Sequence, residues 1–447
     1  MSLPRYPDYK DSGVEWLGEV PGHWEVGSMR WLTRRYSGGT PDKTNLSFWQ
    51  DGVVPWLNSG AVNDRLIMDP STYITDEAFA NSSAKWIPEG ALVMALAGQG
   101  KTKGMVAQLA ISSTCNQSMA AIIPSPKIAS RFLFWWLDSN YQNIRNMAGG
   151  DLRDGLNLEL LGDIRCPLPP LAEQTQIAAF LDRETAKIDR LVAEQRRLMA
   201  LLKEKRQAVI SHAVTRGLNP HAPLKPSGIE WLRDVPEHWR VGKCGFYLSI
   251  LSGFAFPSTG FSASESDTRL LRGINVGVAR LKWDEVVYWG RSSDDDLDDY
   301  EMQAGDLVIG MDRPLISEGI RVAKVKDSDL PCLLLQRVAS LKTGPLLNSD
   351  YLLHLLSSEM FVAHFSPDAT GVSVPHISPD QINNFVVPVP PQSEQLEIVG
   401  FIATELAKLD TLTAEAQRAI DVLQERRTVL ISAAVTGQID VRSTVAA

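Results

Sequence analysis

Residues 91–104 read ALVMALAGQGKTKG, and within them ALAGQGKT (95–102) has the spacing of a relaxed P-loop. Such a loop wraps phosphates with backbone N–H groups while its lysine, here Lys101, reaches the outer phosphates. It should follow a strand and open a helix. Two other groups could carry chemistry. The run DDDLDDYE (294–301) could cage a metal ion, but adjacent carboxylates cannot all face one ion, so it reads as a solvated loop. Cys115, Cys166, Cys244 and Cys332 are scattered without a CxxC pair, which argues against zinc and against a disulfide framework. They read as small buried hydrophobes. His23 and His238 lack metal-ligand partners at useful spacing and read as structural.

The elements that would position these residues are written twice. SGVEWLGEVPGHWEV (12–26) returns as SGIEWLRDVPEHWRV (227–241), with 10 of 15 positions identical at an offset of 215. PLPPLAEQTQIAAFLDRETAKIDRL (167–191) returns as PVPPQSEQLEIVGFIATELAKLDTL (388–412) at an offset of 221. Two blocks in the same order describe one duplicated unit, a globular head followed by a long helix. Each head reads as mixed α/β. GALVMALA and GDLVIGM look like strands, and 129–147 and 349–365 like the main helix of each head. Trp16, Trp24, Trp231 and Trp239 recur between the copies as packing anchors.

The duplication tests the P-loop. At the 215 offset Gly90 falls on Gly305 and Gly104 on Gly319, but Lys101 falls on Ile316. The second copy keeps the frame without the phosphate chemistry. MVAQLAI after Gly104 also reads as a strand, so the segment is expected to be a strand–loop–strand hairpin. A nucleotide hydrolase remains the weaker alternative.

Each unit ends in a stretch free of Gly and Pro. The first seam is read as Leu181, Glu184, Ile188, Leu191, Gln195, Leu198, Leu202, Lys205, Val209 and His212. The second is read as Ile402, Glu405, Leu409, Leu412, Ala416, Ala419, Leu423, Arg426, Leu430 and Ala433. Both are heptad seams with polar interruptions. A lone helix of about 60 Å would not be stable by propensity alone, so each is expected to pair with the other. Chain order favours antiparallel pairing and a pseudo-two-fold body with a head at each end. Such a body suits duplex DNA, with one head per half-site.

Net charge is −9 over 447 residues, which by itself does not suggest a nucleic-acid partner, but residues 171–217 are locally basic. Composition is that of a soluble protein, with 44% hydrophobic and 22% charged residues. MSLPRYPDYKDSG has no signal pattern, and no apolar run approaches a membrane span. A cytoplasmic protein is expected.

At this point the chain resembles the specificity subunits of Type I restriction–modification systems. The resemblance rests on GVEWLGEVPGHW and its second copy, GGTPDKTNLSFWQDGVVPW (38–56), the paired PLPPLAEQ (167–174) and PVPPQSEQ (388–395), and SGFAFPSTGF (252–261). It implies α/β (α+β) target-recognition domains, duplicated, joined by two long helices forming an antiparallel coiled coil. The corresponding division is target-recognition domain 1 (1–170), conserved-region helix 1 (171–217), target-recognition domain 2 (218–390) and conserved-region helix 2 (391–440). The resemblance also implies that the two domains read the halves of a bipartite asymmetric site in double-stranded DNA. The helices would set the spacing and dock methyltransferase subunits, two in number. Those partners use S-adenosylmethionine to methylate adenine N6. A restriction subunit driven by ATP, with Mg2+, completes the complex. The chain itself would be non-catalytic and bind no cofactor, in a bacterial or archaeal cytoplasm. No NPPY-like segment, Gly-rich cofactor loop or nuclease carboxylate pair is evident in the sequence. A protein-interaction scaffold outside DNA chemistry would fit the duplicated helices too.

Base reading needs donors and acceptors at groove edges, with Arg suited to guanine and Asn or Gln to adenine. The loop candidates in head one are Asn58, Ser59, Lys101, Lys103, Asp151 and Arg153. In head two they are Arg272, Asn275, Arg313, Ser373 and His376. Glu184, Arg196 and Arg197 are candidates for facing a partner subunit.

Overall fold

The computed structural model describes residues 4–444 apart from 99–100, 148–154, 293 and 366–375. The chain forms two compact units. One joins Met1–Gln195 to Arg418–Ala447, and the other is Arg196–Gln417. Each unit therefore holds one head, part of its own long helix and part of the other.

In the first unit, a five-stranded sheet runs in the order Thr33–Ser37, Met119–Pro124, Leu92–Ala95, Val106–Leu109 and Leu66–Ile67. Leu92–Ala95 is buried at all four positions, as its unbroken apolar run requires of a strand covered on both faces. A second sheet pairs Val54–Leu57 parallel with Thr114–Cys115 and antiparallel with Thr72–Ile74. The helix Ser130–Ser139 buries Phe132 through Leu137 against the core. In the second unit the order is Leu248–Ser252, Val338–Thr343, Leu307–Gly310 and Val322–Lys324. Beside it, Thr268–Leu271 pairs parallel with Cys332–Leu334 and antiparallel with Tyr288–Trp289. Strand for strand the second head repeats the first, without a counterpart to Leu66–Ile67 in its main sheet. The expected α/β duplication is what the chain forms.

The long helices are Leu171–Arg216 and Gln392–Val435. The motifs that open them are structural. Gln174 and Gln395 are both fully buried. Gln174 Oε1 accepts from the Ala129 N–H (2.7 Å), and its amide donates to the Lys127 and Pro169 carbonyls. Gln395 makes the same three bonds, from Asn348 N–H (2.8 Å) and to Leu346 and Pro390. The shared glutamine thus ties each helix start to the main helix of its own head. The first helix stops at Gly217, whose φ of 70° suits glycine in the left-handed cap.

Both units contain antiparallel helix pairing. In the first, Arg427 Nε donates to Asp189 (2.9 Å), and Ile431, Ala434 and Val435 share a core with Ile177 and Leu181. In the second, Arg206 pairs with Asp410, and Ile210, Ala213 and Val214 share a core with Ile398 and Ile402. The seam differs from the sequence reading at every other position. The inward-facing set is Leu181, Thr185, Ile188, Val192, Gln195, Met199, Leu202, Arg206, Val209 and Ala213. In the second helix it is Ile402, Leu406, Leu409, Thr413, Ala416, Ile420, Leu423, Arg427, Leu430 and Ala434. Reading leucines as core mixed two neighbouring stripes. Leu191 (50% exposed), Leu198 and Leu412 (46% exposed) belong to the outer one.

Candidate nucleic-acid interface

The ALAGQGKTKG segment is a hairpin. Leu92–Ala95 runs antiparallel into Val106–Leu109, with Gly104 N–H donating back to the Ala95 carbonyl (2.9 Å). No helix follows the loop, so it lacks the frame in which a P-loop lysine works. Lys101 is exposed at the tip, and its carbonyl accepts from the Tyr141 hydroxyl (2.5 Å). Lys103 is only 4% exposed. Of the two lysine candidates in this loop, Lys103 is the one the hairpin turns inward, away from a nucleic-acid surface. Lys101 lines a cleft of about 390 Å³ with Asn63, Arg65 and Tyr141. Arg65 is held by Asp138 (2.6 Å), and burial pulls its guanidinium below its usual range. Asn58 is exposed but caps the turn Ser59–Asn63, accepting from the Gly60 N–H (2.8 Å). Ser59 sits half-buried in that turn. Asp151, Arg153 and Ser373 lie outside the described residues.

In head two the corresponding hairpin leads to a larger cleft of about 700 Å³, lined among others by Lys282, Asp312, Arg313, Arg321, Gln336 and Arg337. Strand register brings these together. Gly310 stands opposite Val338, and Ile309 opposite Val322, so Asp312–Arg313, Arg321 and Arg337 leave the sheet at one end. Arg321 is spent on structure: Nε donates to the Val276 carbonyl (2.9 Å) and Nη1 to that of Asp312 (3.1 Å). Burial pulls its guanidinium down, against the opposing pull of Asp312. His376 Nδ1 lies 2.7 Å from Asp312 Oδ1, which also faces Arg337 Nη1 at 3.5 Å. Arg313 and His376 are therefore brought together around Asp312.

Asn275 is a correction. It is 1% exposed, its amide donates to the Lys282 and Glu285 carbonyls (2.9 Å each), and its Oδ1 accepts from the Arg272 N–H. Both amide hydrogens hold the loop, and burial keeps the side chain from a base edge. Arg272 is half-buried, with Nη2 donating to the Glu285 carbonyl (2.9 Å). Sequence reading missed Gln336 and Arg337. Aligning Val338–Thr343 on Met119–Pro124 sets Gln336 on Gln117, a repeat signal that was available.

The acidic run is tied down by Arg291, which reaches Asp295 (2.6 Å) and Asp298 (2.7 Å). Among the described residues no His/Cys/Asp/Glu group could hold a metal ion, and no helix is long and apolar enough to cross a membrane. Burial pushes the Cys115, Cys244 and Cys332 thiols up to about 12, which keeps them protonated and inert. Glu184 is bound to Lys187 (2.9 Å) and Arg183 (3.0 Å), while Arg196 and Arg197 are exposed. Trp31 and Phe246, related by the 215 offset, are 80% and 78% exposed.

Two heads of one topology with different loop chemistry, each served by antiparallel helices, define a tandem two-head architecture. Residues 23–197 match the family described as "Type I restriction modification DNA specificity domain". The chain is 26% identical over 313 residues to the Type I restriction enzyme MjaVIII specificity subunit of Methanocaldococcus jannaschii, covering 70% of this chain and 71% of that one. It is 36% identical over 180 residues to the EcoAI specificity subunit of Escherichia coli, covering 40% of this chain and 30% of that one. A solved chain described under "Structural basis underlying complex assembly and conformational transition of the type I R-M system" shares the fold. Its TM-score is 0.71 at 16% identity, over 93% of this chain and 98% of that one. Residues 23–197 thus carry that family's domain, and the chain as a whole is similar to Type I restriction–modification specificity subunits.

Proposed function

We propose that this chain is the non-catalytic DNA-reading subunit of a Type I adenine-N6 methyltransferase and restriction complex in a bacterial or archaeal cytoplasm. Each head reads one half of a bipartite, asymmetric duplex site, and the long helices fix the gap between the halves. The observation that carries this reading is one head topology used twice with different residues at the same loop positions. Identical frames give two recognition modules, and different loops give two different half-sites. Loop cations supply the phosphate attraction that positions a head, while forked and amide side chains supply base discrimination.

The long helices dock two methyltransferase subunits, which bring S-adenosylmethionine. Restriction subunits bring ATP and Mg2+ chemistry. Two features support docking. The outer stripe repeats at the 221 offset, with Leu191 on Leu412 and Leu201 (51% exposed) on Val422 (62% exposed). Each head also presents an exposed aromatic at one equivalent position, Trp31 or Phe246, so a partner supplied in two copies meets the same contact twice.

The test is methylome sequencing of cells carrying the chain with its methyltransferase, beside a chimera in which one head is replaced. One split motif is expected, with one half altered in the chimera. Methylation without a split motif, or both halves changing together, would overturn the reading.

A further inference from the structure

Among the described residues, five non-glycine positions have positive φ, and two of them are arginines in the head-two cleft: Arg313 (47°) and Arg337 (71°). Side chains rarely adopt this backbone, and where it persists the surroundings hold it there. Here they do. The Arg337 carbonyl accepts from the Met311 N–H (2.9 Å), and the Arg321 N–H donates to the Pro314 carbonyl (2.7 Å). Arg321 in turn clamps the Asp312 carbonyl. The two arginines thus leave a fixed frame into one cleft. Among the described residues the Arg313 side chain has no hydrogen-bond or ion-pair partner, and the Arg337 side chain has only the long contact to Asp312. Gln336, beside Arg337, is exposed.

Resting on the DNA-reading function above, we propose that Arg313 and Arg337 are the guanine-reading residues of head two. An arginine fork donates two parallel hydrogen bonds to guanine O6 and N7 in a fixed plane, whereas a lysine reaches the same edge as a flexible point charge without the rigid fork. Asp312 is a positioning residue: it orients Arg337 and is braced by His376. Lys282, at the rim beside Glu318 (3.5 Å), supplies charge rather than a fork. Head one has Ala97 and Gly98 where head two has Asp312 and Arg313, and Gln117 and Ser118 where it has Gln336 and Arg337. The guanine pair therefore belongs to one half-site only, and this makes the whole site asymmetric.

The test uses the full chain in complex with its methyltransferase partner, with Arg313→Lys, Arg337→Lys, Arg313→Ala, Arg337→Ala and Lys282→Ala. Genome-wide methylation motifs and salt-dependent duplex binding are the readouts. Each arginine variant is expected to lose about tenfold or more discrimination at one guanine of the head-two half-site, with the other half-site unchanged. The lysine variants keep the charge and the partner association, so relaxed specificity in them reports the fork and not unfolding. Lys282→Ala is expected to keep the motif and to reduce the salt slope by about 1. Arginine variants that methylate the wild-type motif with full discrimination at every position would overturn the assignment and leave the split-site reading intact. A head-two half-site without guanine would do the same. Absence of any split motif in the wild type would instead remove the reading on which it rests.

Discussion

The duplication offers a controlled experiment on one buried polar contact. Trp24 and Trp239 are equivalent, at 0% and 1% exposure. Trp24 Nε1 donates to Glu173 Oε1 (3.1 Å), a carboxylate that also binds Tyr6 and His23 Nε2 (2.8 Å). In the second unit, His238 meets Glu394 in the same way (2.7 Å), but the Trp239 indole N–H has no acceptor among the described residues. Trp→Phe removes the same volume from both cores, so the packing loss largely cancels between them. What remains is one hydrogen bond to a charged acceptor, worth about 1.5–3 kcal/mol. Trp24→Phe should therefore destabilise the first unit by that much more than Trp239→Phe destabilises the second. Two compact units make a single melting temperature a poor measure, so the assay is native-state hydrogen exchange. The reporters are Leu92–Ala95 and Leu307–Gly310, which share a core with Trp24 and Trp239 respectively. Exchange at the first should accelerate by about 10- to 150-fold more than at the second. Equal losses, or a larger loss for Trp239→Phe, would refute the reasoning.

Burial pulls His354 from its usual 6.5 down to about 4, against Asp350 and with help from Arg206. The unfolded chain binds this proton more readily between those values, so stability from this group is complete above about pH 6.5 and is lost as pH falls towards 4. The loss reaches about 3 kcal/mol, and urea unfolding of the wild type and His354→Gln at pH 7 and 4.5 should show the variant losing less. Gly38 and Gly253 are equivalent, and a Cβ at either would sit 1.9 Å from the Cys115 carbonyl oxygen or 2.2 Å from that of Leu335. Alanine at each should cost about 1–3 kcal/mol or more, seen as a lower urea midpoint. Leu191→Glu with Leu412→Glu should change stability by only about 0.5 kcal/mol yet lower co-purification with the methyltransferase subunit, and undiminished co-purification would remove the docking role.

The sequence by itself determined the duplication, the mixed α/β heads and the two long helices. Repeated spacing is a chain property, and an apolar run such as Leu92–Ala95 has one stable use, a covered strand. It also exposed the P-loop match as a hairpin, because the second copy keeps the flanking Gly305 and Gly319 and drops the lysine. Tertiary structure alone decided which way side chains face. A helix reading that favours leucine cannot separate stripes one residue apart; packing turned Thr185 and Val192 inward and left Glu184 and Leu191 outside. Asn275 looked like a base reader until distant carbonyls at Lys282 and Glu285 claimed its amide. Arg337 gave no local signal, because its backbone conformation is imposed by Met311, a neighbour across the sheet. Composition and period set which elements form, whereas the direction of a loop side chain depends on contacts that no short window of sequence contains.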